Sequence, residues 1–473
     1  MLLLVGLFVG CGSEPFTYDR PLVEKTRADP VDETLRQQFE SRGHGSKSDL
    51  SGYSWPAIFG PNRNSCTAAP LSPIWDESGP SLLWQVEVGT GYGSPVTTGN
   101  VVLFNHRVDD QEILECRNAA TGKGIWQHRS KTSAICDFDY SNGPYSTPVI
   151  DSKKQRVYNV SAEGMLKCLK LETGDVIWSR ELHRDYRVEA DIFPVGASPL
   201  LDLQSRVPGG QLLFVLGGSE AEAGIISLSA DTGDTLWTAT DHQASYTTPV
   251  VASVHNQRFG LFLTGEGLVC LDPDTGHLDW DFEYSRRVEL ARNATSPIVI
   301  DDRAIVICSG KGAKCVRLLP DRSYEEVWHA RRAIDSQYNT VIASKRHLFS
   351  FTSGGQGGAE FRCIDSTDGN LKWSYHSILK RGMGFATPNA FFLLGERGHL
   401  AALSMNTDEP RVLSFTSSPL MSEPCYCSPA FAGNVLILKD EQRVAAFKLG
   451  EDRLKSRQAP KRRYRHRVGV TTR

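Results

Sequence analysis

Residues 116–126 read Cys116-Arg-Asn-Ala-Ala-Thr121-Gly122-Lys-Gly-Ile-Trp126, and the same frame returns along the chain. Cys168 precedes Thr173-Gly174 and Trp178, Ser227 precedes Thr232-Gly233 and Trp237, Cys270 precedes Thr275-Gly276 and Trp280, and Cys363 precedes Asp368-Gly369 and Trp373. In all five the small residue stands ten positions before the Trp, so the register is fixed. Degenerate copies end at Trp328 and near Leu413, and Trp84 heads a strand-like Leu82-Leu-Trp-Gln-Val-Glu-Val88 that has no opening half. An apolar strand, a turn in which Gly supplies positive φ, and a second strand carrying one large packing residue make a β-hairpin.

A second motif tracks the first. Ser94-Pro95, Thr147-Pro148, Ser198-Pro199, Thr248-Pro249 and Ser296-Pro297 recur at spacings of 53, 51, 50 and 48, and Thr387-Pro388 and Ser428-Pro429 continue the series. Tyr338-Asn-Thr-Val341 fills the place between Pro297 and Pro388. Proline belongs at a strand's first residue, where no ladder N–H is lost. Between the two motifs there is room for two more strands, and four strands per unit of about 40–50 residues is the signature of a propeller blade. The opening motifs predict eight blades, beginning near Gly93, Ser146, Ala197, Thr247, Thr295, Tyr338, Ala386 and Ser428. The eighth lacks its Trp strand and the Trp84 strand lacks a blade. The expected fold is therefore all-β, an eight-bladed β-propeller over residues 54–450 whose ring is closed by the N-terminal strand. Closure of this kind removes two exposed sheet edges.

The 473 residues are 40% apolar and 23% charged with a net charge of −3, which excludes a disordered chain, a collagen and a coiled coil. Residues 451–473 form a basic tail with nine Lys or Arg from Arg453 onward; without those the remaining 43 bases stand against 55 acids. A body at −12 argues against nucleic acid as a partner of the propeller, because phosphate contacts need a basic face. No run reaches the roughly 20 apolar residues of a spanning helix. Leu2–Gly10 is an apolar run ending at Cys11, similar to the h-region and lipobox of an exported lipoprotein. Residues 1–11 are thus expected to be a signal with Cys11 as the lipid attachment site, the only membrane link, and residues 12–53 a flexible tether.

Cys116, Cys168, Cys270 and Cys363 occupy one equivalent strand in different blades, beyond bridging distance, and read as small core residues. Cys308 and Cys315 flank Ser309–Lys314, a hairpin turn that would set them opposite each other for a cross-strand disulfide. Cys425 and Cys427 share a strand face without the accompanying His or Cys of a metal site.

The Thr-Gly-x-x-x-Trp repeats resemble pyrroloquinoline-quinone (PQQ)-type propeller repeats. The leader Trp55-Pro-Ala-Ile-Phe-Gly-Pro-Asn-Arg63, followed by Leu83-Trp84, resembles the opening of PQQ-like propeller proteins of the bacterial cell envelope. The resemblance covers residues 54 to 449 and implies one of two roles. Quinoprotein dehydrogenases use PQQ with calcium, an Asp base and often two adjacent cysteines. Here Cys425-Tyr-Cys427 is one residue too wide, and Asp137 and Asp139 are the candidate acids. The outer-membrane protein assembly factor B family is similar instead in its signal-like N-terminus, the lipid site at Cys11 and the lack of an active-site constellation, and implies a non-catalytic scaffold.

Two Asp-Thr-Gly tripeptides, at Asp231 and Asp274, spell an aspartic-protease motif but fall on the repeat turn one blade apart, so they do not form a dyad. Gly354–Gly358 lacks the helix and Lys of a phosphate cradle. Arg286, Arg287, Arg331 and Arg332 each follow a blade's Trp strand and are contact candidates. The expectation is a monomeric, exported scaffold of the periplasm or outer membrane that binds an envelope protein and uses no cofactor. The alternatives are a PQQ- and calcium-dependent dehydrogenase, or a propeller binding carbohydrate or a small ligand in its central funnel.

Overall fold

Eight four-stranded antiparallel sheets carry the chain, seven of them built from consecutive strands. A computed structural model describes residues 53–136, 138, 140–189, 193–285, 293–339, 341–344, 346–352, 358–376, 379–405 and 410–450. The first blade runs outward from Val96–Thr98 through Val101–Val108 and Gln111–Asn118 to Gly124–Lys131. Its middle strands are buried on both faces, because each blade is covered by a neighbour on either side. Its outer strand alternates with solvent. The eighth blade consists of Ala430–Ala432, Val435–Lys439, Arg443–Lys448 and, as its outer strand, Ser81–Glu87 from the other end of the chain. Trp84 stands opposite Ala446 and Gln85 opposite Ala445, so the propeller closes as expected. Among the described residues no helix is long and apolar enough to cross a membrane.

The Thr-Gly-x-x-x-Trp repeat has a cause that spans two blades. Each Trp lies on the turn glycine of the next blade: Trp84 on Gly122, Trp126 on Gly174, Trp178 on Gly233, Trp237 on Gly276 and Trp328 on Gly369. A Cβ on any of these glycines would stand 2.5–2.7 Å from the indole, and all five have φ between +71° and +77°. The indole Nε1 donates to a carbonyl of the same turn, from 2.8 Å at Ala119 and Leu171 to 3.3 Å at Ala230. Glycine is needed twice over, for the backbone and for the seat. Gly174→Ala should therefore destabilise the protein by about 2–3 kcal/mol, read as a lower guanidinium midpoint. Where the turn loses its Gly the docking fails: Trp280 instead stacks on Phe282 and packs at a tilt against Tyr324, and its Nε1 has no hydrogen-bond partner.

The Ser/Thr before each opening Pro ties the blades around the axis. The amide of Ser94 donates to Thr147 Oγ1 at 3.0 Å, that of Thr147 to Ser198 Oγ at 2.9 Å, and that of Ser428 to Ser94 Oγ at 2.8 Å. Thr248 and Ser296 repeat the link at 2.9 Å. One opening motif was misplaced by sequence pattern. Thr387-Pro388-Asn389 is the turn between Gly382–Ala386 and Ala390–Gly395, held by the Ala390 amide on Thr387 Oγ1. The seventh blade therefore opens near Arg381, before Ala386, because Pro also suits a turn.

The leader does not lie outside the ring. It enters as a hairpin that bonds to the inner strands on both of its arms. Tyr53 accepts from Gly433, Trp55 exchanges bonds with Thr97, and Pro56 accepts from Ile150 on the way in. Asn64 accepts from Ala343, Ser65 from Ala386, and Thr67 donates to Ala386 on the way out. Trp55, only 2% exposed, packs between Phe385 and Phe431. Phe59, Arg63 and Ser65 hold left-handed backbone at the tip, a strain that the surrounding inner strands fix in place.

The disulfide expectation is corrected. Cys308 stands opposite Gly312 and Cys315 opposite Ile305, and the two thiols enter different inter-blade cores. The hairpin is tighter than the spacing implied, so the two side chains point to opposite faces of the sheet. Cys116 and Cys168 are buried, and burial pushes both thiols up to about 12.

Candidate functional site: an aromatic cup above the plug

Three residues before the opening Pro, the chain of each blade reaches the mouth of the axis. Five blades place a tyrosine there: Tyr92, Tyr145, Tyr246, Tyr338 and Tyr426. The seventh blade contributes Arg381, and the third and fifth contribute the small Gly196 and Ala294. Gly196 is small because the Tyr246 ring lies over it; a Cβ would come within 2.3 Å of the ring. The rings touch in series, with centroids 6.1 Å apart for Tyr246–Tyr145, 4.8 Å for Tyr145–Tyr92, 5.2 Å for Tyr92–Tyr426 and 4.8 Å for Tyr426–Tyr338. Ile58 and Phe59, at the tip of the leader hairpin that plugs the axis, form the floor. The result is a blind cup of about 250 Å³ rather than an open channel.

The cup is electrically balanced. Arg381 donates from Nε to Glu396 at 2.9 Å and from Nη1 to Gln337 at 3.2 Å, and lies 5.0 Å from the Tyr338 ring centre. Tyr338 donates to the same carboxylate at 3.3 Å. Tyr145 donates to the Ser141 carbonyl at 2.8 Å, and Tyr92 accepts from the Ser141 amide at 3.2 Å. Burial pushes the phenols of Tyr92, Tyr145 and Tyr338 above the ordinary tyrosine range, so all three stay neutral. Ser94, Thr147, Ser296 and Ser428 place hydroxyls in the wall. Beside the cup, a second cavity of about 330 Å³ shares Phe193, Gly196 and Tyr246 and adds His183, Glu189 and Asp241.

The residues singled out from sequence fall elsewhere. Arg331 and Arg332 are exposed after the outer strand Tyr324–Ala330 and do not line the cup. Arg286, Arg287, Asp137, Asp139 and Cys11 lie outside the described residues, as do residues 1–52 and the tail 451–473. Cys425 and Cys427 are buried, and the residue between them, Tyr426, is the one that faces the cup. The tyrosines carry a signal in the sequence, Tyr-x-[Ser/Thr]-Pro in four copies, beside the prolines that mark the strand starts.

An anionic quinone with calcium would need several cations and an oxygen-rich ligand cluster. The cup offers one guanidinium, already paired with Glu396. No group of three His, Cys, Asp or Glu suited to a metal occurs among the described residues. Among the described residues this donor set does not fit that cofactor.

Comparison with known proteins agrees with the architecture. No curated protein matches the sequence. Among solved structures, BamB from Moraxella catarrhalis superposes with a TM-score of 0.53 at 13% identity, covering 78% of this chain and 97% of its own. The quinohemoprotein alcohol dehydrogenase from Comamonas testosteroni gives 0.51 at 12% identity, covering 90% of this chain and 83% of its own. The C-terminal WD40 domain of Sif2 gives 0.50 at 7%, covering 80% and 100%. At such identities these likenesses show a shared propeller fold and nothing of activity. The sequence itself matches a family over residues 74–193 and 109–375, more than half of the chain, and by that match the protein belongs to the family of outer membrane protein assembly factor BamB, the PQQ-like propellers.

Proposed function

We propose that this PQQ-like propeller is a non-catalytic scaffold of the cell envelope that docks a protein partner on the face bearing the cup. The observation that supports the reading is a set of exposed apolar residues close in sequence, Ile135, Phe138 and Tyr140, the last of which lines the cup. Ile135 is 71% exposed, Tyr140 54% and Phe138 38%. Phe138 stacks on Phe193 at 5.4 Å, which continues the surface to Tyr246 at 6.2 Å. Contiguous exposed aromatics next to a rigid rim mark interaction sites on soluble proteins. Membership of the BamB family supports an envelope setting. Lipid attachment at Cys11 would supply the membrane link, leaving the propeller itself monomeric and free of cofactor.

Affinity capture of the full chain from detergent-solubilised membranes should recover one stoichiometric envelope protein. Ile135→Asp with Phe138→Asp should lose it without lowering the unfolding temperature. Dye-linked dehydrogenase activity on adding PQQ and calcium would overturn the reading.

A further inference from the structure

The geometry points to the aromatic cup as a binding site for the end of a neutral glycan. Each of the five tyrosines is half-buried, so each lines the cup with part of its ring while its neighbours hold it in place. A ring that is apolar on its face and wet at its hydroxyl suits a ligand of the same mixed character. A pyranose has that character, with C–H faces to lie on rings and hydroxyls to meet the wall's Ser, Thr and Gln337.

Charge narrows the guest. A cation seeking the ring faces would meet Arg381, which already occupies the Tyr338 face at 5.0 Å. An anion would find Arg381, the one charged side chain lining the cup, already neutralised by the buried Glu396 at 2.8 Å. A neutral guest faces neither penalty.

Backbone pairing disfavours capture of a peptide by strand addition at the mouth, since that mode needs unpaired N–H groups. Those of Tyr92 and Gly93 donate to Pro144, that of Tyr246 to Asn293, and those of Ser94, Thr147 and Ser428 to neighbouring hydroxyls. Recognition is left to side chains. The plug floor at Ile58 and Phe59 stops a chain from threading through, so only a terminal unit or two enters.

The inference goes beyond the scaffold reading, and its test uses different variants. The full chain is titrated calorimetrically with chitotriose, cellotetraose and maltotetraose, and with choline chloride as the cationic control. At least one oligosaccharide should bind with a Kd between about 10 μM and 1 mM, and choline should not. Tyr426→Leu should weaken that binding roughly tenfold or more. Gln337→Trp, at an exposed rim position where folding is not at stake, should block it sterically. No binding of any oligosaccharide at 10-fold above the upper Kd limit of about 1 mM, binding of choline instead, or binding unchanged in Gln337→Trp would each overturn the proposal. Loss of sugar binding with partner capture intact leaves the scaffold reading standing.

Discussion

Trp84→Ala should destabilise the protein by about 3–5 kcal/mol and shift it from a monodisperse species toward aggregates on size exclusion. The side chain is 9% exposed, rests on Gly122 of the first blade and donates to the Ala119 carbonyl at 2.8 Å. It also sits on the strand that seals the ring, paired with Arg443–Lys448 across a register break between Leu82 and Trp84. Loosening this strand would expose the edge of Arg443–Lys448, a template for pairing with other chains. The matched control is Trp280→Phe. The Trp280 Nε1 is buried and without a hydrogen-bond partner, and its neighbours are aromatic rings that a Phe also satisfies. Removing an unsatisfied buried donor costs little, so this variant should stay within about 1 kcal/mol of the parent. Equal losses in the two variants would show that the seam carries no special weight.

Trp55→Ala should cost a similar 3–5 kcal/mol or so, with a different signature. Trp55 is 2% exposed and its ring closes over Gly60, so the indole is the template about which the plug hairpin turns. Its loss removes ring contacts at 5.7 Å to Phe385 and 5.1 Å to Phe431. The blades themselves keep their own ladders and their Trp–Gly seats. The expected outcome is a propeller that stays closed while the leader becomes sensitive to protease ahead of global unfolding, with new dye-accessible apolar surface on the axis. Because Ile58 and Phe59 floor the cup, oligosaccharide binding should weaken in parallel although no cup tyrosine has changed. A variant that unfolds in one step, with no earlier cleavage of the leader, would contradict a separable plug.

The half-blades at the two ends of the chain foretold the seam, since Val435–Lys439 and Arg443–Lys448 lack an outer strand that Ser81–Glu87 supplies. The tyrosines were legible as letters but not as a site. Tyr246 and Tyr145 are about a hundred residues apart in sequence, and only circular closure brings their centroids to 6.1 Å. Cys308 and Cys315 show the reverse case, where sequence spacing implied a pairing that ladder register forbids.

The sequence by itself determined the blade, the number of blades and the join between the chain ends. Those follow from short-range chemistry: a turn that needs glycine, a strand start that tolerates proline, an indole at a fixed distance from both. Tertiary structure alone decided that the turn glycine is a seat for the neighbouring indole, that the leader plugs the axis, and that five tyrosines with Arg381 enclose a neutral cup. Each of these is a contact between blades. A repeat carries its own hairpins in its letters, whereas what stands across the axis depends on how many copies close the circle.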